Sequence, residues 1–345
     1  MSQTVVEAPA AAEAAQQNPI KAFLLKIGLV NVSLVAAILV LGTFITIFKP
    51  VFLTGQNLVT IGNYVTVMGL LALVQTVVII MGGIDISVGS TAGLCSVLVG
   101  MLYGSAETGT HNPWLAMAVA LVVGGVCGLF NGIVVIFGRI TPLIATLATL
   151  SSYKGIAQLI SNGRAQGNTQ VDPVFIAIAR GSFLGISTLI WILLFVAALI
   201  HVMLRYLRIG RDIYAVGGND MAARLSGINV NNRIMFVFVL AGVVAAIAGI
   251  VITARTGSGQ PVSGSEGMEM LAVTGAALGG AALRGGKGSV ISTILAVILL
   301  GVLINGMTLV NINPFWQNIA QGALLIAACV IQMASSGERR VGLPK

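Results

Sequence analysis

Long runs of apolar residues, separated by short polar stretches, extend over nearly the whole chain from residue 28 onward. A helix needs about 20 apolar residues to cross the hydrocarbon core of a bilayer, and ten runs approach or exceed that length. The third and the eighth are the shortest. The predicted helices cover residues 28–48, 58–81, 88–103, 114–137, 141–160, 183–204, 234–254, 268–283, 290–310 and 314–333. The pattern therefore predicts an all-α polytopic membrane protein with about ten transmembrane helices.

The composition agrees with a chain that lies mainly in lipid. Of the 345 residues, 57% are hydrophobic and only 8% are charged, whereas a soluble domain has about 25% charged residues. The formal net charge is +8. The basic residues nevertheless lie between apolar runs and form no patch with interleaved aromatic residues, so we expect no nucleic-acid partner.

The positions of the basic residues predict how the helices are oriented. The ten-helix division places 13 of the 18 Lys and Arg residues on one side, which we call the basic side: Lys21, Lys26, Arg139, Arg205, Arg208, Arg211, Arg224, Arg233, Arg284, Lys287, Arg339, Arg340 and Lys345. Basic loops stay in the cytoplasm, so both termini are predicted to be cytoplasmic. The predicted organisation is a disordered cytoplasmic tail at 1–26, a transmembrane domain at 27–334 and a cytoplasmic tail at 335–345.

The longest loop between helices, residues 205–233, lies on the basic side and contains a predicted short helix. Asn219 can cap its N-terminus, Asp220 suits the positive end of its dipole, and Gly227 can close it in a left-handed conformation. This pattern predicts a two-turn helix on the cytoplasmic surface. From the residues alone it is either a docking element for a partner or an ordinary loop helix.

The segment MGGIDISVGS at 81–90 places Asp85 between two apolar runs. A carboxylate at membrane depth is costly, so Asp85 must lie at an interface, face a cavity or receive backbone donors. Gly82, Gly83 and Gly89 permit a broken backbone, and Ser87 can cap the third helix. The alternative is a plain cytoplasmic turn.

The opposite side carries two polar loops, at 161–182 and 255–269. The second is rich in Gly and Ser, contains Gln260 and leads through Glu269 into the short eighth helix, which is typical of a re-entrant or gating segment. The first is the longest external connection and suits the reception of a delivered substrate. The alternative for either loop is a solvated connection without a role in transport.

Polar side chains within the apolar runs are candidates for a pathway through the membrane. Amides suit hydrogen bonds with hydroxyl-rich solutes, although bonds between helices are their commoner use. With the loop residues already named, the candidate pathway set is Asp85, Ser87, Asn131, Gln158, Gln260, Glu269, Asn305, Gln317 and Gln321. Lys154 also falls inside a predicted helix.

No enzyme motif emerges from the sequence. GGAALRGGKGS at 279–289 has some likeness to a phosphate-binding loop, but Ala281 and Gly288 occupy positions that require Gly and Ser or Thr. It is better interpreted as a cytoplasmic turn. Without H-E-x-x-H, G-x-S-x-G or a Cys/His cluster, the residues predict no enzyme, no cofactor and no metal in this chain.

Five segments together resemble one family, the permease subunits of bacterial ribose, xylose and galactose type ABC importers. They are GGIDISVGS at 82–90, GRITPLIATLATLSSYKGIAQLISNG at 138–163, AVGGNDMAARLSGINV at 215–230, LGGAALRGGKGS at 278–289 and LINGMTLVNINPFWQNIAQG at 303–322. The resemblance implies a multi-pass protein of the bacterial inner membrane that imports a monosaccharide or related polyol.

The same resemblance implies the partners. These are cytosolic ATPase subunits that bind ATP and Mg, a periplasmic sugar-binding protein, a second permease copy or a paralogue, and membrane lipid. It also implies that residues 205–233 form the coupling loop, with the ATPase-coupling residues Gly218, Asn219, Asp220, Ala222, Ala223, Arg224, Leu225 and Gly227. The alternative function is an ion-coupled secondary transporter of a small polar solute, which should carry more charged residues inside its helices.

Overall fold

The computed structural model describes residues 29–104, 109–262 and 265–335. These residues form thirteen α-helices, a 3₁₀-helix at Pro50–Leu53 and a hairpin of β1 (Ser182–Phe183) and β2 (Ile186–Ser187). The helices are α1 (Leu29–Phe48), α2 (Gly55–Ile80), α3 (Val88–Tyr103), α4 (Pro113–Phe137), α5 (Pro142–Ser161), α6 (Pro173–Arg180), α7 (Thr188–Tyr206), α8 (Arg208–Gly218), α9 (Asp220–Leu225), α10 (Val230–Thr256), α11 (Met268–Leu278), α12 (Val290–Leu309) and α13 (Pro314–Ser335). The predicted tails, 1–26 and 335–345, lie outside the described residues except for Ser335.

The prediction of a polytopic helical membrane protein is confirmed. Among the described residues, seven helices are long and apolar enough to cross a membrane: α1, α2, α4, α5, α7, α10 and α12. The two short predicted segments correspond to α3 and α11, which are apolar but shorter. The tenth corresponds to α13. Ten crossings and cytoplasmic termini remain predictions.

Helix α2 forms the centre of the bundle. Every residue from Val65 to Ile80 is buried, and α2 packs against α7, α10, α11 and α12. In contrast, α1 exposes large apolar side chains such as Val40 and Ile47, which are 71% and 73% exposed. An apolar surface of this kind is expected to face lipid.

Small residues bring α4 and α10 into close contact, as their spacing in the sequence indicates. A Cβ atom at Gly124 would collide with the Gly242 carbonyl, and one at Gly128 would collide with the Phe238 carbonyl. Association of helices in lipid depends on this kind of backbone approach.

Both short helices begin inside the bundle. After α2 ends, residues 81–87 turn back along it, so that the Asp85 backbone reaches the side chain of Gln75. Gln75 lies five residues before the end of α2, about 7 Å into the bundle. Residues 257–262 and 265–267 likewise lie along α3, with Gly259 beside Gly100 and Ser265 beside Gly89, before α11 begins.

Two predicted boundaries were wrong. The sixth predicted helix was placed at 183, but residues 182–187 form the β-hairpin, because Leu184 and Gly185 have positive φ angles of 54° and 77°. Helix α7 therefore begins at Thr188. The eighth was extended to 283, but Gly280, at φ 82°, follows the last turn of α11 at Leu278.

Two helices were not predicted. Helix α6 begins after Asp172, whose carboxylate accepts from the N–H groups of Val174 and Phe175 at 2.7 and 3.4 Å. The Asp-Pro pair at 172–173 is a start signal that could have revealed it. Helix α8 occupies the first part of the basic-side loop, directly before the predicted short helix.

The structure groups the loops as the charge pattern predicts. The end of α2, the end of α8 and loop 279–289 are in contact on the basic side. On the opposite side, Gln166 pairs with Gly259, joining the two polar loops. The division of the loops into two sides is therefore supported by direct contacts.

Candidate functional site

Helix α9 on the basic side has the caps that the sequence predicts. The Asn219 side chain accepts from the Ala222 N–H at 2.9 Å. At the other end Gly227 has φ 81°; its N–H donates to Arg224 and that of Ile228 donates to Ala223, at 2.9 and 3.0 Å. This pair of bonds is a Schellman motif, which ends a helix sharply.

The surface of α9 separates into a buried and an exposed side. Ala223 is 4% exposed and belongs to the main core, whereas Met221 and Leu225 are 63% and 83% exposed. Gly218, Asn219, Asp220, Ala222, Arg224 and Gly227 are also exposed. The short helix thus presents apolar side chains outward from a fixed base.

Helix α8, which directly precedes α9, is attached to the bundle at two points. Asp212 accepts from two nitrogens of Arg233 at the start of α10, at 2.8 and 3.0 Å. The Tyr214 hydroxyl donates to the Gly288 carbonyl at 2.8 Å, and burial raises the pKa of this phenol. Helices α8 and α9 are therefore tied both to α10 and to loop 279–289.

The backbones of three segments lie in direct contact at glycine residues: α8, loop 279–289 and the end of α2. The Ile80 carbonyl accepts from the Gly286 N–H at 2.7 Å. A Cβ at Gly217 would collide with that carbonyl and lie 2.7 Å from the Gly286 nitrogen. A Cβ at Gly285 would lie 2.6 Å from the Gly217 carbonyl. We call this meeting point of Ile80, Gly217, Gly285 and Gly286 the glycine contact.

Asp85 lies just beyond the glycine contact in a buried polar network. It is 2% exposed, and its carboxylate accepts from the Ser87 N–H and hydroxyl at 2.8 and 2.7 Å. The Ser87 hydroxyl accepts in turn from Asn131 at 2.8 Å, and Tyr153 donates to Asn131 at 3.2 Å. The network connects the break between α2 and α3 with α4 and α5.

The expected capping of α3 by Ser87 was wrong. Ser87 stands at the N-cap position but makes no side-chain cap bond. Its hydroxyl donates to the Asp85 carboxylate and accepts from the Asn131 amide instead, and the hydrogen bond to the carboxylate is charge-assisted and therefore strong.

Side chains form hydrogen bonds with the backbone groups of the break between α2 and α3. Thr146 accepts from the Ile86 N–H at 3.1 Å and donates to the Ile84 carbonyl at 3.2 Å. With its amide oriented to satisfy both groups, Gln75 donates to the Asp85 carbonyl at 2.9 Å and accepts from the Asp85 N–H at 3.3 Å. A non-helical segment at this depth requires such partners.

We expect Asp85→Ala to lower the thermal unfolding midpoint of the purified protein. The variant leaves the buried Ser87 N–H and hydroxyl without their acceptor, at a cost of about 1–3 kcal/mol. Asp85→Asn keeps an acceptor oxygen and serves as the matched control, with a smaller decrease. Equal unfolding midpoints for wild type and Asp85→Ala in the same detergent would show that the Asp85 carboxylate does not stabilise the break between α2 and α3.

Two adjoining cavities lie beside α11. A half-open cavity of about 700 Å³ lies between α11 and α13, which are in contact beside it. One of about 60 Å³ is lined by residues of α3 and α5 and by Pro261, Val262, Ser265, Glu266 and Glu269. Gln321 lines the larger one and Glu269 the smaller. Of the predicted pathway residues, these two reach cavities described here.

The other predicted pathway residues are placed elsewhere. Asn305 forms a reciprocal amide pair with Asn57, at 2.9 and 3.0 Å, which joins α12 to α2. Gln317 donates to Thr308 at 3.2 Å, Gln260 donates to Ser258 at 2.9 Å, and Gln158 is exposed. Asp85, Ser87 and Asn131 belong to the buried network.

An ion pair between the two cavities was not predicted as a unit. Lys154 Nζ on α5 lies 2.6 Å from Glu266 Oε1. Both residues line the smaller cavity, and Glu266 lines the larger one as well. The sequence marks Lys154 as a charge inside a helix, but its partner lies 112 residues away, beyond the reach of any local pattern.

Comparisons with known proteins agree on one family. The family described as "Branched-chain amino acid transport system / permease component" matches residues 57–329. The ribose import permease protein RbsC of Escherichia coli strain K12 is 36% identical over 297 residues, which cover 86% of this chain and 91% of the relative.

Two other relatives are similarly close. RbsC of Bacillus subtilis strain 168 is 33% identical over 298 residues, covering 86% of this chain and 91% of that protein. The L-arabinose transport system permease protein AraH of E. coli strain K12 is 33% identical over 294 residues, covering 85% and 88%. No solved structure matches the chain significantly.

Proposed function

The chain belongs to the family of transport-system permease components, and from this premise we propose that it forms the pathway for a monosaccharide or related polyol. It is an inner-membrane permease subunit of an ABC importer and not an enzyme. Relatives named for ribose and arabinose transport support a pentose as the first solute to test. No observation favours the ion-coupled alternative.

The observation that carries the coupling part of the proposal is the construction of α9. It is capped at both ends, exposes Met221 and Leu225, and rests through Ala223 on the core. An exposed apolar surface on a fixed element suits a protein partner. We assign the residues from Gly218 to Gly227 predicted for coupling to contact with the cytosolic ATPase, within a coupling loop at 205–233 of a permease domain at 27–334.

The glycine contact gives this docking surface a route to the membrane interior. Displacement of α9 moves α8, whose Gly217 lies against Ile80 at the end of α2 and against Gly82 at the start of the break that contains Asp85. The ATPase subunits supply the displacement by binding and hydrolysing ATP with Mg. Alternating access then follows from the movement of packed elements relative to each other.

The remaining partners follow from the same importer architecture. A periplasmic sugar-binding protein delivers the solute to the side that carries loops 161–182 and 255–269, and the basic side with both termini faces the cytoplasm. A second permease, identical or paralogous, completes the pathway. Lipid covers the apolar surfaces of helices such as α1.

Uptake of radiolabelled sugar by cells tests the proposed function. Cells lacking this chain should lose ATP-dependent uptake of one monosaccharide, and the chain restored on a plasmid should return it. Calorimetry with the partner binding protein across a panel of sugars should identify the same solute. Uptake that collapses with an ionophore but persists without ATP would contradict the proposal and favour the ion-coupled alternative.

A further inference from the structure

The larger cavity is bounded by one face of α13. Asn318, Gln321, Gly322 and Leu325 line it, and their spacing of three, four and seven residues places them on a single helical stripe. A Cβ at Gly322 would have no neighbouring atom within 4 Å. The absence of a side chain there therefore leaves open space in the cavity.

The facing wall comes from α11 and the segment before it. Met270 and Leu271 provide apolar surface, and Thr274 and Glu266 provide oxygen atoms. The two helices thus form the walls of a half-open cavity of about 700 Å³ with a few polar groups on an apolar background. Small-molecule sites in proteins have this composition and volumes of about 300–1,000 Å³.

Two amide side chains at the cavity have no partner among the residues that the structure describes. Neither Asn318 nor Gln321 makes a side-chain hydrogen bond there, whereas Gln317 on the same helix donates to Thr308. An amide in a membrane helix is costly unless its groups are satisfied. Asn318 is exposed and Gln321 is half-buried, and both line this one open cavity, which points to a solute with hydrogen-bonding groups.

The charge of the cavity favours a neutral solute. The one acidic residue in its lining, Glu266, is already paired with Lys154 at 2.6 Å. No unpaired positive group lines the cavity to meet a carboxylate or a phosphate. Amides and a carboxylate oxygen match hydroxyl groups, and Met270 and Leu271 match the C–H face of a sugar ring.

We propose that this cavity is a monosaccharide-binding site within the permease itself, where the solute is held during passage by Asn318, Gln321 and Glu266. The proposal rests on the proposed function and adds to it a binding site on the pathway, with the three residues that contact the solute. It assigns part of the solute selectivity to this chain as well as to the delivering protein.

Saturation-transfer NMR on the purified permease in lipid nanodiscs tests the proposal, because it detects weak binding. D-Ribose and L-arabinose are the probes, and L-leucine is the comparison solute. For wild type we expect transfer to at least one sugar and none to L-leucine. The double variant Asn318→Ala/Gln321→Ala should weaken sugar binding by about tenfold or more, given the loss of two hydrogen-bonding side chains.

A Cβ at Gly322 meets no atom within 4 Å, so Gly322→Leu places its side chain in the open space of the cavity and should abolish sugar binding. Ile319→Leu is the matched control, since Ile319 is 58% exposed and lies on another face of α13; it should bind as wild type does. If Gly322→Leu does not insert into the membrane, the double amide variant decides the question.

Three outcomes would overturn the proposal: wild type shows no transfer to either sugar, transfer survives both the double variant and Gly322→Leu, or L-leucine binds in place of sugar. Native mass spectrometry adds a check, because a change of oligomeric state in Gly322→Leu without sugar binding in wild type would assign the cavity to a second copy. Intact ATP-driven uptake together with any of these results leaves the proposed function standing.

Discussion

Replacing Gly217 by alanine is expected to lower ATP-driven uptake by about tenfold or more, while Gly55→Ala, at an exposed glycine at the start of α2, leaves it near the wild-type rate. The added methyl group at Gly217 would collide with the Ile80 carbonyl and lie 2.7 Å from the Gly286 nitrogen. The end of α8 must then separate from α2 by more than about 1 Å to relieve the overlap. A methyl group at Gly55 meets no atom within 4 Å.

The expected consequence of Gly217→Ala is uncoupling. Helix α9 lies beyond the altered residue and keeps its own caps, so the ATPase should still co-purify with the variant. Movement of α9 then no longer reaches the break at Asp85. We expect uptake to fall by at least about tenfold, because small misplacements in a functional site have effects of this size. Membrane insertion is measured in parallel. Equal uptake by the two alanine variants would remove the glycine contact from the mechanism.

Gly227→Pro is expected to abolish both ATPase co-purification and uptake. Gly227 has φ 81°, which proline, fixed near −65°, cannot adopt. Proline also removes the N–H that donates to Arg224 at 2.9 Å. The end of α9 then unravels, and the exposed side chains of Met221 and Leu225 lose their fixed positions.

Gly227→Asn is the matched control for that substitution. Asparagine tolerates the left-handed conformation better than other residues with a side chain and keeps the N–H. Nothing lies within 4 Å of a Cβ at this position, so the variant should retain most uptake. ATPase that co-purifies normally with Gly227→Pro would show that α9 is not the docking element.

The fold could largely be predicted because the hydropathy of the sequence identifies apolar runs that are long enough to form transmembrane helices. The bounds of α3, residues 88–103, were predicted to the residue from the length of its apolar run. The ends of α9 were equally accessible, since Asn219 and Gly227 act through bonds to residues only three to five positions away. Local rules succeed where local bonds decide the structure.

What could not be predicted depends on distant partners. Helix α8 is amphipathic, and its attachment requires Asp212 to meet Arg233, 21 residues later. Ser87 was expected to act as a cap, but Asn131, 44 residues away, engages its hydroxyl. The same limit applies to Asn305, a predicted pathway residue whose side chain pairs with Asn57.

The most direct test of the central claim is uptake by proteoliposomes that contain the permease, its ATPase and the sugar-loaded binding protein. ATP with Mg enclosed on the ATPase side should drive accumulation of the monosaccharide by wild type and Gly55→Ala, but not by Gly217→Ala. Ionophores should have no effect. Accumulation without ATP, or equal accumulation by Gly217→Ala, would contradict an importer that is coupled through the contact of α8 with α2.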